Sequence, residues 1–184
     1  MMRQIHRGGE YYRVADPGWA NPLDGSWSMK FGGRWNPPGS FPTVYLNRDR
    51  ATARANARFL LTKKLAGTFL TAEDLDPSEL PVLVTTNVSD DNYVDVVSDQ
   101  GCLDAGLPVS YPYDSSGDPL DHSQCQPIGL AAWAADELGV ACRSAAEHAP
   151  STAEELAHFD RPGRQLTAMD PAEAFEDWYG PLDW

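Results

Sequence analysis

No apolar run approaches the roughly 20 residues that cross a bilayer, and the amino-terminal stretch is polar and basic, without the apolar segment of a secretory leader. A cytoplasmic protein without a membrane partner is expected. Cysteine is scarce. Cys102, Cys125 and Cys142 are odd in number, 23 and 17 positions apart, and form no Cys-x-x-Cys, which argues for reduced buried thiols rather than a disulfide framework. The four histidines, His6, His122, His148 and His158, show no ligand spacing with each other or with the cysteines, so no metal is expected. Internal repeats and linkers are missing too, and nothing divides the chain.

What is present is 184 residues, 42% of them hydrophobic, enough for one core of ordinary size. Fifteen Gly and fifteen Pro break the chain into short elements, which excludes a coiled coil or a simple bundle. The net charge of −13 argues against nucleic acid or an anionic membrane as the main direct partner. That total hides a split. Residues 1–64 hold eleven Lys/Arg against four Asp/Glu, and residues 65–184 hold three against twenty-three. The basic third is suited to a small polyanion such as a pyrophosphate, or simply to pairing with the acidic remainder. The acidic part is suited to a basic protein partner.

Residues 1–42 read as loops around short strands, because Gly, Pro and turn dipeptides are dense there. Residues 43–47 alternate as a strand, followed by a helix over residues 50–65 capped at Asp49, with Ala53, Ala57, Leu60, Leu61 and Leu65 on one face. Asn56 borders a cleft on that helix's flank. Residues 81–88 and 93–97 read as two strands joined by a polar turn at 89–92, and residues 99–126 as irregular. A buried helix is expected to start at Pro127 and stop before Gly139, followed by a strand over residues 140–145 and a short tail helix near 171–178 packed on the domain's edge. Strands and helices mix without strict alternation. The fold class is therefore α+β, a compact domain built on a mixed sheet.

The densest chemistry lies in Gly-Gly-Arg-Trp-Asn-Pro-Pro-Gly at residues 32–39. Glycines let backbone N–H groups approach a ligand, prolines stiffen the loop, and Arg34 offers a planar fork to phosphate. A tight turn with Arg34 stacked on Trp35 is the plainer alternative.

That loop, the following Val44-Tyr45-Leu46, the helix and the late Arg143-Ser144-Ala145 resemble the RES-domain toxins over roughly residues 12–146. The resemblance implies a single RES-like domain over residues 1–184, with its core at roughly 12–146 and a C-terminal extension at 147–184. It implies a fold similar to the ADP-ribosyltransferase toxins, NAD as substrate, and degradation of NAD by hydrolysis or by phosphorolysis with inorganic phosphate. It also implies an Xre-type antitoxin as partner, with nucleic acid approached only through it, and often a homodimer. Carried over by position, the family's site residues fall on Arg34, Tyr45 and Ser144, with an early arginine at Arg13. Arg13 and Arg34 would hold the pyrophosphate, Tyr45 would meet the nicotinamide side, and Ser144 would bond a ribose hydroxyl.

At the helix position where the family has glutamate, this chain has Asn56. Cleaving the nicotinamide–ribose bond builds positive charge on the sugar, which a carboxylate stabilises and an amide does not. Glu10 and Asp49 are the nearest acids in the basic segment, with a plainer helix-cap role for Asp49, and Glu73 and Glu147 are unplaced. Two other readings follow: ADP-ribosyl transfer to a macromolecule, or a silent NAD-binding module. On the silent-module reading, Asn56→Glu is expected to create NAD turnover, measured as loss of the dinucleotide.

Overall fold

The computed structural model describes residues 2–71 and 74–180, so Glu73 lies outside the described residues. Five strands, β1 (Gln4–Ala15), β2 (Thr43–Asn47), β3 (Val82–Val96), β4 (Gly139–Arg143) and β5 (Glu154–Phe159), form one mixed sheet in the order β1-β2-β5-β4-β3. β3 also pairs along β1, which closes the sheet into a small barrel. All pairings are antiparallel except β3 with β4. The α+β mixed-sheet expectation holds.

Each strand presents alternate residues to opposite faces. One face, drawn from all five strands, gathers Tyr11, Val44, Leu46, Val84, Tyr93, Ala141 and Leu156. The other face of β2, β4 and β5 gathers Tyr45, Cys142, Ala157 and Phe159 beneath Trp35 and Tyr111. Among the described residues five α-helices surround the sheet: α1 (Ser26–Phe31), α2 (Arg50–Leu65), α3 (Asp99–Asp104), α4 (His122–Ala134) and α5 (Phe175–Trp178).

α2 follows the sequence closely. Asp49 caps it by accepting from Thr52 N at 2.7 Å, an interaction typically worth ~1 kcal/mol. Ala53, Ala57 and Leu61 bury against Leu83, Phe175 and Trp178, so the tail helix does pack on the domain. Leu60, expected on that face, is instead half exposed, because the buried stripe runs in four-residue steps through Ala53, Ala57 and Leu61.

Several expectations are corrected by the structure. The two strands and turn expected at 81–97 are one continuous strand, β3, since β1 runs alongside it and pairs Arg7 with Asp91 and His6 with Asn92. A bulge between Arg7 and Gly9 absorbs the polar segment, whose side chains face solvent. α4 begins at His122, not Pro127, because Asp121 caps it through Ser123 N at 2.8 Å while Cys125, Ile128 and Ala132 bury its face. Gly139 opens β4 rather than stopping a helix, where a Cβ would lie 2.0 Å from the Ala157 carbonyl oxygen. The segment beyond residue 146, read as an extension, supplies β5, which sits between β2 and β4. Residues 99–126 contain α3, and Leu107, Tyr111 and Leu120 anchor the rest in the core.

α4 meets the 32–39 loop with no room to spare. A Cβ on Gly129 would stand 1.7 Å from the Trp35 carbonyl oxygen. Gly129→Ala is expected to push the helix off the loop and destabilise the fold by roughly 3 kcal/mol, measured by urea unfolding.

Candidate functional site

The 32–39 loop is held from several sides. Gly33 N–H donates to the Asn36 carbonyl at 2.8 Å, and the Asn36 side chain donates to the carbonyls of Ser28 (2.7 Å) and Phe41 (3.1 Å). The Tyr45 hydroxyl accepts from Trp35 N–H at 2.9 Å and donates to Asn36 Oδ1 at 2.7 Å. Gln126 of α4 donates to the Gly33 carbonyl, and the Trp35 indole donates to Cys142 Sγ. Gly33 is required by this contact, since a Cβ there would lie 2.4 Å from the Tyr45 hydroxyl oxygen. Burial pushes the Tyr45 phenol well above its ordinary pKa, so it keeps the proton it donates.

Arg34 projects from this clamped loop. Its Nη1 donates to the Leu120 carbonyl at 3.2 Å, and Tyr111 and Cys125 lie beside it. Among the described residues it forms no ion pair, unlike some of the early cations. Arg7 pairs with Glu154, Arg50 with Glu173 and Lys64 with Glu79. The charge split is thus consumed only in part by pairing, and Arg34 stands outside that part.

A second group assembles on the same face of β2, β4 and β5. Ser144, one residue past β4, donates through Oγ to Glu155 Oε1 at 2.5 Å and accepts from Ala146 N–H at 3.1 Å. Asn56 reaches over from α2 and donates to Asn47 Oδ1 at 2.7 Å and Glu155 Oε1 at 3.0 Å. In the ladders Glu155 lies opposite Asn47 of β2 and Cys142 of β4. Tyr45, Cys142 and Tyr111 lie near enough to Glu155 to feel its charge, and Tyr111 and Cys142 lie near Arg34 as well. Ser144 and Tyr111 also border a cleft of about 530 Å³ with Arg143, Asp99 and Tyr113, in the size range of small-molecule sites.

Arg34, Tyr45, Asn56 and Ser144 therefore share one face, but Arg13 does not join them. The partner pair across β1 and β2 is Tyr12 with Asn47, so Tyr12 shares the face of Asn47 and Glu155 and its neighbour Arg13 points the other way. Arg13 is buried over the Trp19 ring near Asp24 and Asp160, and burial lowers its pKa to about 10. A cleft of about 760 Å³ also lies elsewhere, lined by Trp19, Trp27, Lys30 and Phe31, and holds none of the four. Sequence reasoning missed Glu155, Asn47 and Tyr111. Nothing local marks Glu155, which follows another glutamate in an unpredicted strand.

The family model of the RES domain matches residues 10–176. The chain belongs to the RES-domain family. Among curated relatives of this RES chain are the proteins named NAD(+) phosphorylase MbcT of Mycobacterium bovis and Mycobacterium tuberculosis, each 33% identical over 118 residues. The match takes in 64% of this chain and 58% of the relatives' length. The crystal structure of the M. tuberculosis MbcT–MbcA toxin–antitoxin complex superposes with a TM-score of 0.71 at 25% identity, covering 97% of this chain and 92% of that one. Among the described residues no group of His, Cys, Asp and Glu is arranged to hold a metal ion, and no helix is long and apolar enough to cross a membrane.

The Tyr45 hydroxyl serves two buried partners at once. Tyr45→Phe is expected to cost about 2 kcal/mol by stranding Trp35 N–H and Asn36 Oδ1, read as a lowered urea midpoint with an unchanged slope.

Proposed function

We propose that this RES chain is the toxin of a toxin–antitoxin pair and degrades NAD in the cytoplasm, with an Xre-type antitoxin as its partner. The unit proposed is a single RES-like domain that takes in β5 and the tail. In this reading the bond between nicotinamide and ribose breaks with its electron pair going to the nicotinamide nitrogen, which loses its positive charge. An oxygen of inorganic phosphate then gives a lone pair to the sugar carbon, C1′, forming ADP-ribose 1″-phosphate. No metal is needed for this step, because the leaving group departs neutral.

The observation that carries the reading is the shared sheet face, with an unpaired guanidinium at one end and a serine–carboxylate–amide group at the other, in a chain of this family. Arg34 would hold the diphosphate as a bidentate donor. Tyr45 fixes the loop that aims Arg34 and borders the nicotinamide side. Ser144 and Asn56 would receive the ribose hydroxyls. The names of the relatives, which speak of NAD(+) phosphorylase, favour phosphate over water as the acceptor.

The test is a time course of NAD loss by the purified chain with and without phosphate, beside Arg34→Ala. Phosphate-dependent formation of ADP-ribose 1″-phosphate is expected, and Arg34→Ala is expected to lower kcat/KM by about 10- to 100-fold through loss of charged hydrogen bonds. An inert native chain would remove the proposal, and a labelled macromolecule formed from labelled NAD would replace it with ADP-ribosyl transfer.

A further inference from the structure

We infer that Glu155 is the acid of this site, a catalytic carboxylate that faces the sugar carbon as the nicotinamide bond breaks. The inference rests on the NAD-cleaving reading above and adds to it a residue that neither the motif nor the helix pattern marks.

The reaction shifts positive charge from the nicotinamide nitrogen onto C1′ and the ring oxygen. Arg34, Tyr45, Asn56 and Ser144 carry no negative charge with which to meet it. Glu155 is the carboxylate that two of these four residues hold directly, through Ser144 Oγ at 2.5 Å and Asn56 Nδ2 at 3.0 Å, both on Oε1. Oε2 has no hydrogen-bond partner among the described residues and is not one of the buried polar atoms left without a partner, so one oxygen is tethered and the other is open. A fixed charge of this kind, in a half-buried setting, needs little reorganisation as the transition state forms.

Other acids near the site are committed elsewhere. Asp49 caps α2, Glu10 accepts from the Tyr12 hydroxyl, Glu154 pairs with Arg7, Asp99 pairs with Arg143, and Glu147 is an exposed neighbour of His148.

Asn56 then has a physical purpose. A glutamate there would bring a second carboxylate within hydrogen-bond distance of Oε1, and two carboxylates so close repel until one takes up a proton. Asn56 instead donates to Oε1 and steadies it. The expectation that Asn56→Glu by itself creates turnover is thereby reversed. With Glu155 in place, that change sets like charges against each other.

The experiment measures NAD turnover in phosphate buffer by the full chain, Glu155→Gln, Asn56→Glu and the double variant, with thermal melting of each. Glutamine keeps the Oε1 acceptor for Ser144 and Asn56 and removes only the charge. The inference expects Glu155→Gln to lose about 100-fold in kcat with KM changed little. It also expects Asn56→Glu to fall, and the double variant, with its charge relocated to the helix, to recover at least about tenfold over Glu155→Gln, the size of a 1.4 kcal/mol restoration. Parental kcat in Glu155→Gln would overturn it. Should the glutamine variant fail to fold, Glu155→Asp withdraws the charge by about 1.5 Å, and parental kcat in that variant would overturn the inference equally. A native chain with no turnover would instead sink the NAD-cleaving reading itself.

Discussion

The Tyr45 hydroxyl joins the two halves of the candidate site. It grows from β2, in the sheet that carries Ser144 and Glu155, and it both accepts from Trp35 N–H and donates to Asn36 Oδ1 in the 32–39 loop. Arg34 lies between those contacts and Gly33, whose missing side chain lets the phenol come close. The guanidinium is therefore positioned by main-chain geometry, with Nη1 donating to the Leu120 carbonyl, instead of by an acid. α4 closes the arrangement from above through Gly129 and Gln126. Packing in this loop transmits small changes because neither the helix nor the phenol has space to yield.

At the other end of the same face, a single carboxylate oxygen collects donors from two elements far apart in sequence, Ser144 after β4 and Asn56 on α2. A side-chain amide at position 56 is complementary to a carboxylate on β5, as a donor facing an acceptor, whereas two acids would be in conflict. The pair at 56 and 155 is thus better understood as one unit than as a lost residue and an unrelated gain. The acidic surplus of the later chain is partly spent in the same way: Glu154, Glu173 and Glu79 neutralise Arg7, Arg50 and Lys64 from the basic third.

Local signals in the sequence carried a long way where the physics is local. The Asp49 cap and the alanine spacing fixed α2 to the residue, and the density of Gly and Pro around Arg34 and Asn36 marked a rigid loop. They failed where partners come from afar. Residues 4–15 carry too many polar side chains and glycines to announce a strand, and become β1 because β3 supplies a ladder along their whole length. The polar run at 89–92 looks like a turn until that same ladder holds it straight. The Arg13 and Arg34 pairing failed for a related reason: which face a strand residue takes depends on register, and the register of β1 is set by Asn47 and the bulge near Gly9.

By itself the sequence determined a mixed α+β domain, the stiff loop that bears Arg34, and the resemblance that led to Tyr45, Asn56 and Ser144, because these depend on neighbours within a few positions. Only the tertiary structure decided that Arg13 faces away, that β5 runs between β2 and β4, and that Glu155 stands beside Asn56 and Ser144. Those facts follow from strand pairing across about a hundred residues. A side chain's face and company are then properties of the ladder, and no window of sequence contains them.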